Sequence, residues 1–314
     1  MNTIMFFARN ESDDHISKEL RAYMNLSRKA RVDKMDMISW RQTYLGAVCP
    51  MLCGCEWQLK TTGGVPEWIC SFPASATLPE GSCHLVHVHG GGLTGGDACG
   101  HQGIISHLAL TCGRPVHAPH YRLCPESTKY EAAEDIANFI QELCSDGRQC
   151  VITADSGGAY AVHNALNRHD KLALSVAHVI YISPMLGLAA LDTPETSDEG
   201  DASASVGVIG WCYQNARIEA PEPVGLCIER RNTLYAKKTT IFCGAEEVLR
   251  EDAKILHKAL LNAGLDCELH LREQHPHVWF TLVGLGIPEV EESIQLLASL
   301  VRDADKTATS RRIF

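Results

Sequence analysis

The stretch CVITADSGGAYAVHNALNRH, residues 150–169, constrains this chain more than any other. CVITA reads as a buried strand and GGAYAVHNALNRH as a helix, so Ser156 sits on the tight turn that joins them. Small residues two before and two after it, Ala154 and Gly158, let strand and helix approach closely while the turn pushes the serine outward at the C-terminal edge of a sheet. The amide of Gly157, opening the helix, points toward a developing negative charge and gains from the helix's N-terminal partial charge. Strings of this kind also serve ordinary strand–turn–helix junctions, and Ala154 adds a methyl group where the G-x-S-x-G pattern has its first glycine. The motif therefore needs support from elsewhere in the chain.

The pattern around it is an alternation of short apolar runs with helical periods, which signals a mostly parallel α/β sheet flanked by helices. Strands are expected near 84–89, 115–119, 149–154, 177–182, 238–243 and 267–272, after two earlier ones in EWQLK and EWICSFP. Helices are expected near 100–112, 130–145, 157–168, 249–263 and 288–302. Residues 1–50 read as a helical N-terminal segment, with Ile16, Leu20, Tyr23, Met24 and Ala30 near helical spacing and Asp13 or Asp14 as an N-cap. The main domain then runs over 51–302, with an acidic, Ser-rich cap insertion at about 187–232, and 303–314 read as a polar, frayed tail.

With 314 residues and 45% apolar composition the chain can bury a real core, and its net charge of −10 argues against a nucleic-acid or acidic-membrane partner. No apolar run reaches the roughly 18 residues that would span a bilayer. The fourteen cysteines follow no secretory signal and mostly sit in apolar segments, so reduced thiols in the cytoplasm are expected. The cluster CPMLCGC lacks a second ligand pair at zinc-finger spacing.

Support for the serine comes from VHVHGGGLTGGD, residues 86–97. Three consecutive glycines after a buried strand cost conformational entropy unless the backbone must approach something or adopt positive φ. Amides of Gly91 and Gly92, with that of Gly157, can make an oxyanion hole. A phosphate loop is disfavoured because no G-K-[ST] follows. His84, His87 and His89 alternate along the strand; His87 and His89 can share a face and bind a metal, or serve packing and the support of the glycine loop. No metal and no organic cofactor is expected.

Four motifs in order, HGGG at 89–92, YRLCPE at 121–126, DSGG at 155–158 and PHVW at 276–279, resemble the hormone-sensitive-lipase-like branch of the α/β-hydrolase fold, with its bacterial esterases and plant carboxylesterases. The resemblance covers roughly 55–302 and implies a mostly parallel sheet with a helical cap, and a serine carboxylesterase. It implies scaffold roles for Tyr121, Arg122 and Glu126, and places the catalytic histidine at His277, with His275 the alternative. It aligns Glu247 of EVL with the triad acid; Asp252 and Glu246 remain alternatives. A weaker alternative has these acidic groups merely favouring a helix N-terminus.

The expected chemistry is acyl transfer by Ser156, with His277 as base and Glu247 orienting it. The expected partner is a compact small-molecule ester, because no strongly apolar lid is visible; a homodimer is compatible with this. Plant relatives of the fold that act as dehydratases, cyclases or receptors keep a non-hydrolytic or purely binding role as the rival, since fold does not settle chemistry.

Overall fold

A continuous apolar run is what a parallel strand covered on both faces requires, and β6 (Cys150–Asp155) and β7 (Val176–Ile182) are buried at every position. In the computed structural model, which describes residues 4–6, 16–30, 36–46, 50–78, 80–191, 203–220 and 235–309, they form the middle of one sheet. Its other strands are β1 (Ile4–Phe6), β2 (Glu56–Thr62), β3 (Val65–Ser71), β4 (His84–Val88), β5 (Val116–Pro119), β8 (Lys238–Gly244) and β9 (Asp266–Arg272). Their order among the described residues is β1-β9-β8-β7-β6-β4-β5-β3-β2. Pairing is parallel except at β2–β3 and β3–β5.

Side-chain alternation sends the central strands β4, β6, β7 and β8 into two cores. Ile152 and Ala154 of β6 join the core under α4 (Lys129–Leu143), α5 (Ser156–Arg168) and α7 (Arg250–Asn262), whereas Val151 joins the one under α1 (Lys18–Ala30), α3 (Gln102–Cys112) and α8 (Pro288–Thr309). Two further helices, α2 (Met37–Gly46) and α6 (Val206–Ala216), lie outside these layers in the chain segments read as caps. Thr128 caps α4 in a reciprocal capping box with Glu131.

The expected strands and helices are found with boundaries shifted by a residue or two, and two readings change. The first fifty residues are not wholly helical: β1 pairs with the edge of β9, Ile4 opposite Leu269, because an edge strand offers unpaired backbone groups that three residues suffice to use. The last helix does not stop at 302 but continues to Thr309. Asp305 on it accepts from the amide of Cys83 (2.9 Å) and the guanidinium of buried Arg114 (3.0 Å), a long-range anchor that local polarity hides. The expected caps Asp13 and Asp14 lie outside the described residues; Ser17 accepts from the amide of Leu20 at 3.1 Å. Much of the insertion, 192–202 and 221–234, and of the tail, 310–314, also lies outside them.

Candidate active site

β6 runs without a loop into α5 at Ser156, whose φ of 45° lies in the left-handed region that costs an L-residue about 1–3 kcal/mol. The turn is possible because α5 begins with two glycines packed on backbone. A Cβ on Gly158 would lie 2.4 Å from the carbonyl oxygens of Val88 and His89, and one on Gly157 2.7 Å from the amide nitrogen of Gly92. Ala154 carries its extra methyl fully into the core.

Ser156 Oγ lies 3.0 Å from His277 Nε2, and His277 Nδ1 lies 2.8 Å from Glu247 Oε2. A carboxylate only accepts, so Nδ1 carries the proton and Nε2 turns its lone pair to the serine hydroxyl. Glu247 is buried on the turn after β8, where its Oε1 accepts from the amide of Gly244 (2.6 Å) and the hydroxyl of Ser183 (2.7 Å). His277 follows β9, and the next residue, Val278, takes φ 51° to start a 3-10 turn over Trp279–Leu282. A Cβ on Gly244 would strike the His275 carbonyl at 2.2 Å, so the two loops touch there.

The other candidates are engaged elsewhere. Asp252 accepts four amides, Leu186 to Ala189, at 2.7–2.9 Å, and the hydroxyl of Tyr213. Burial raises its pKa despite those bonds. Glu246, also raised by burial, accepts from the amide of Gln274 at 2.8 Å and braces the histidine loop. His275 donates to the Glu273 carbonyl at 2.8 Å and sits edge-on to Trp279.

Gly91 and Gly92 take φ values of 114° and 61° in a tight turn, with the amides of Thr94 and Gly95 both bonded to the Gly91 carbonyl. The amide of Gly157, in the first turn of α5, is one that the helix leaves unused. Residues from several elements hold this loop. Tyr121 donates to the His89 carbonyl (2.7 Å), and the amide of Cys124 to the Leu93 carbonyl (2.8 Å). Arg41 of α2 donates to the Thr94 carbonyl (2.8 Å) and forks onto Glu126. Above it, Cys212 of α6 packs where a Gly92 side chain would be, and Trp211 meets Trp40 edge to face at 5.7 Å.

Beneath the loop, Asp155 accepts from the Gly90 amide (3.0 Å) and faces His101 and His87. Burial opposes its charge, but His101 holds the carboxyl down at about 2. Burial likewise opposes charge on His101, and Asp155 outweighs it to raise that pKa. Burial pushes His87 down to about 4 and His89 to about 3. The expected pairing of His87 with His89 is replaced by one with His101 and Asp155, while His89 stacks on Tyr121 at 4.5 Å.

Arg41, Asp155, Ser183 and Cys212 were not singled out from sequence. Ser183 carried one usable signal: it directly follows a fully buried strand, at the sheet edge where Ser156 also lies.

A sheet of this order with a serine at the strand-to-helix turn, histidine after the last strand and acid between them defines an α/β hydrolase. A family model described as the alpha/beta hydrolase fold matches residues 85–281, and the chain belongs to that family. It is 27% identical to an acetyl-hydrolase of Streptomyces hygroscopicus over 228 residues, 70% of this chain and 75% of that protein. It is 24% identical to esterase LipU of Mycobacterium tuberculosis over 249 residues, 74% and 82% of the two chains. Among solved structures, an esterase of the bacterial hormone-sensitive lipase family superposes with TM-score 0.78 at 22% identity, covering 92% of this chain and 99% of that one. A hormone-sensitive lipase from a metagenome library gives 0.81 at 20%, covering 93% and 100%. No helix among the described residues is long and apolar enough to cross a membrane.

Proposed function

We propose that this chain is a serine carboxylesterase that hydrolyses compact esters through an acyl-enzyme. The observation that carries the reading is the unbroken line from Ser156 Oγ through His277 to Glu247, at 3.0 and 2.8 Å. Ser156 attacks the ester carbonyl as His277 Nε2 takes its proton, and Glu247 stabilises the imidazolium. Amides of Gly91, Gly92 and Gly157 receive the oxyanion. The imidazolium then protonates the leaving alcohol, and a water activated by the same nitrogen releases the acid.

The roof formed by Cys212, Trp211 and Trp40 supports a short acyl group, because these residues already fill space over the glycine loop. Each methylene that finds room adds about 0.8 kcal/mol, so activity rises over short chains and collapses past roughly 8 carbons. The free thiols of the described residues suit a reducing compartment such as the cytoplasm.

A fluorophosphonate probe, with p-nitrophenyl esters from acetate to palmitate, tests this. The expected result is labelling at Ser156, loss of turnover in Ser156→Ala and a short-chain optimum. Labelling without release of acid and alcohol from any ester would favour a non-hydrolytic enzyme on this fold; labelling elsewhere would remove Ser156 from its role.

A further inference from the structure

Three buried groups meet under the glycine loop that the ester chemistry does not use: His87 near the end of β4, His101 just before α3, and Asp155 at the end of β6. Their ligand-type atoms lie within 4.8 Å of one another. His101 Nε2 is 3.3 Å from both carboxylate oxygens of Asp155, and His87 Nε2 is 3.5 Å from Oδ1.

Proton accounting fixes both rings. His101 Nδ1 faces the Asp97 carbonyl at 3.1 Å, and a carbonyl only accepts, so Nδ1 bears the hydrogen. Thr153 gives its hydroxyl proton to the Val86 carbonyl and therefore accepts from His87 Nδ1 at 2.9 Å. In its neutral form each ring then turns the bare lone pair of Nε2 toward a carboxylate. His87 Nε2 is fully enclosed and has no hydrogen-bond partner. The Gly90 amide, 3.0 Å from Asp155 Oδ1 and 3.3 Å from His101 Nε2, brings one partial positive charge to this point. A proton on His101 Nε2 pairs that ring with Asp155 when no metal is bound, but the enclosed lone pair of His87 Nε2 still faces the same carboxylate at 3.5 Å with nothing between them in a dry interior.

We propose that His87, His101 and Asp155 form a buried binding site for a divalent transition-metal ion of the zinc class. Two imidazoles and one carboxylate are a recurrent zinc donor set. Bonds of about 2.0–2.1 Å at tetrahedral angles put neighbouring ligand atoms roughly 3.3–3.4 Å apart, close to the histidine–carboxylate separations of 3.3 and 3.5 Å, and the two imidazoles, within 4.8 Å of each other, close onto the ion from there. The outer bonds, Nδ1–H to a carbonyl and to a threonine hydroxyl, are those that orient metal-binding histidines. The ion ties β4, the approach to α3 and the residue before Ser156 together at one point under Gly90. It stabilises the base of the glycine loop and takes no part in acyl transfer, so the site stands independently of the proposed esterase activity.

The test is metal content and spectroscopy on the full chain, offered Zn2+ or Co2+ both as folded protein and during refolding from urea. One ion per chain, a Co2+ ligand-field spectrum of a four-coordinate site and a raised Tm are expected. His87→Gln and His101→Gln should each weaken Zn2+ binding by about 100-fold or more. His163→Gln, at a buried histidine of α5 bonded to Tyr235, should leave it unchanged, as should Ser156→Ala, which separates this result from ester turnover. Should His101→Gln not fold, His87→Gln decides. Absence of stoichiometric uptake, or uptake indifferent to both ligand variants, would overturn the site. So would an NMR titration showing a proton between His101 and Asp155 that an equivalent of Zn2+ does not displace.

Discussion

The hydroxyl of Ser183 donates to Glu247 Oε1 at 2.7 Å and accepts the amide proton of Val278, the residue after His277, at 3.0 Å. One oxygen thus sets the separation of the acid and the histidine, from a residue that itself sits at φ 48°. Ser183→Ala leaves Glu247 Oε1 with the Gly244 amide alone. A hydrogen bond to a charged group contributes about 1.5–3 kcal/mol, so kcat should fall at least about tenfold with KM little changed. A variant that raises KM and keeps kcat would show that Ser183 does not position the acid.

Ser156→Gly and Ser156→Ala both remove the hydroxyl and its bond to His277, but only glycine relieves the left-handed backbone. Both should be inactive, and the glycine variant should be the more stable by about 1 kcal/mol in urea unfolding. Equal stabilities would mean that the turn is unstrained.

The two rival acids should separate by what they damage. Glu247→Gln removes the charge beside His277 and should cost on the order of 10²-fold or more in kcat with a modest change in Tm. Asp252→Asn weakens a carboxylate that gathers four amides of the chain after β7 and should lower Tm far more than Glu247→Gln does, with the smaller direct effect on turnover. Interchanged outcomes in paired kinetics and thermal melts would exchange the roles.

Arg41→Ala frees the Thr94 carbonyl from its bond to α2 while leaving every group of the Ser156 line in place. Because the Arg41–Glu126 ion pair is substantially exposed, its own stabilising contribution is small. The expected signature is a roughly tenfold lower kcat from a looser oxyanion loop, with Tm nearly unchanged. Full activity would show that the loop holds its shape without α2.

Sequence exposed the parts of this fold in which local chemistry and tertiary structure agree. CVITA is apolar at four of its five positions because β6 is covered on both faces, and the glycines after it are demanded by backbone contacts within a few ångströms. EEVLRED alone does not choose the acid, since four carboxylates share seven residues; it is the family resemblance of EVL that points to Glu247, the one that meets His277. Both Glu247 and Asp252 turn inward, and which of them meets His277 is set where the loops after β8 and β9 touch at Gly244 and His275, a contact that no local pattern encodes. Arg41 and Asp305 escaped notice for the same reason: one reads as an ordinary charge on a helix and the other as part of a polar tail, and the meaning of each lies in a carbonyl or guanidinium far along the chain. β1 was missed because three residues are too few to show a period.

The edge-to-face contact between Trp40 and Trp211 joins helices that lie about 170 residues apart along the polypeptide. Each ring forms the mould for the other, so a mutational library that varies one tryptophan alone samples mostly voids and collisions. Substrate range in this lineage should drift through paired substitutions, and a chimera that imports either helix without its counterpart inherits half a joint.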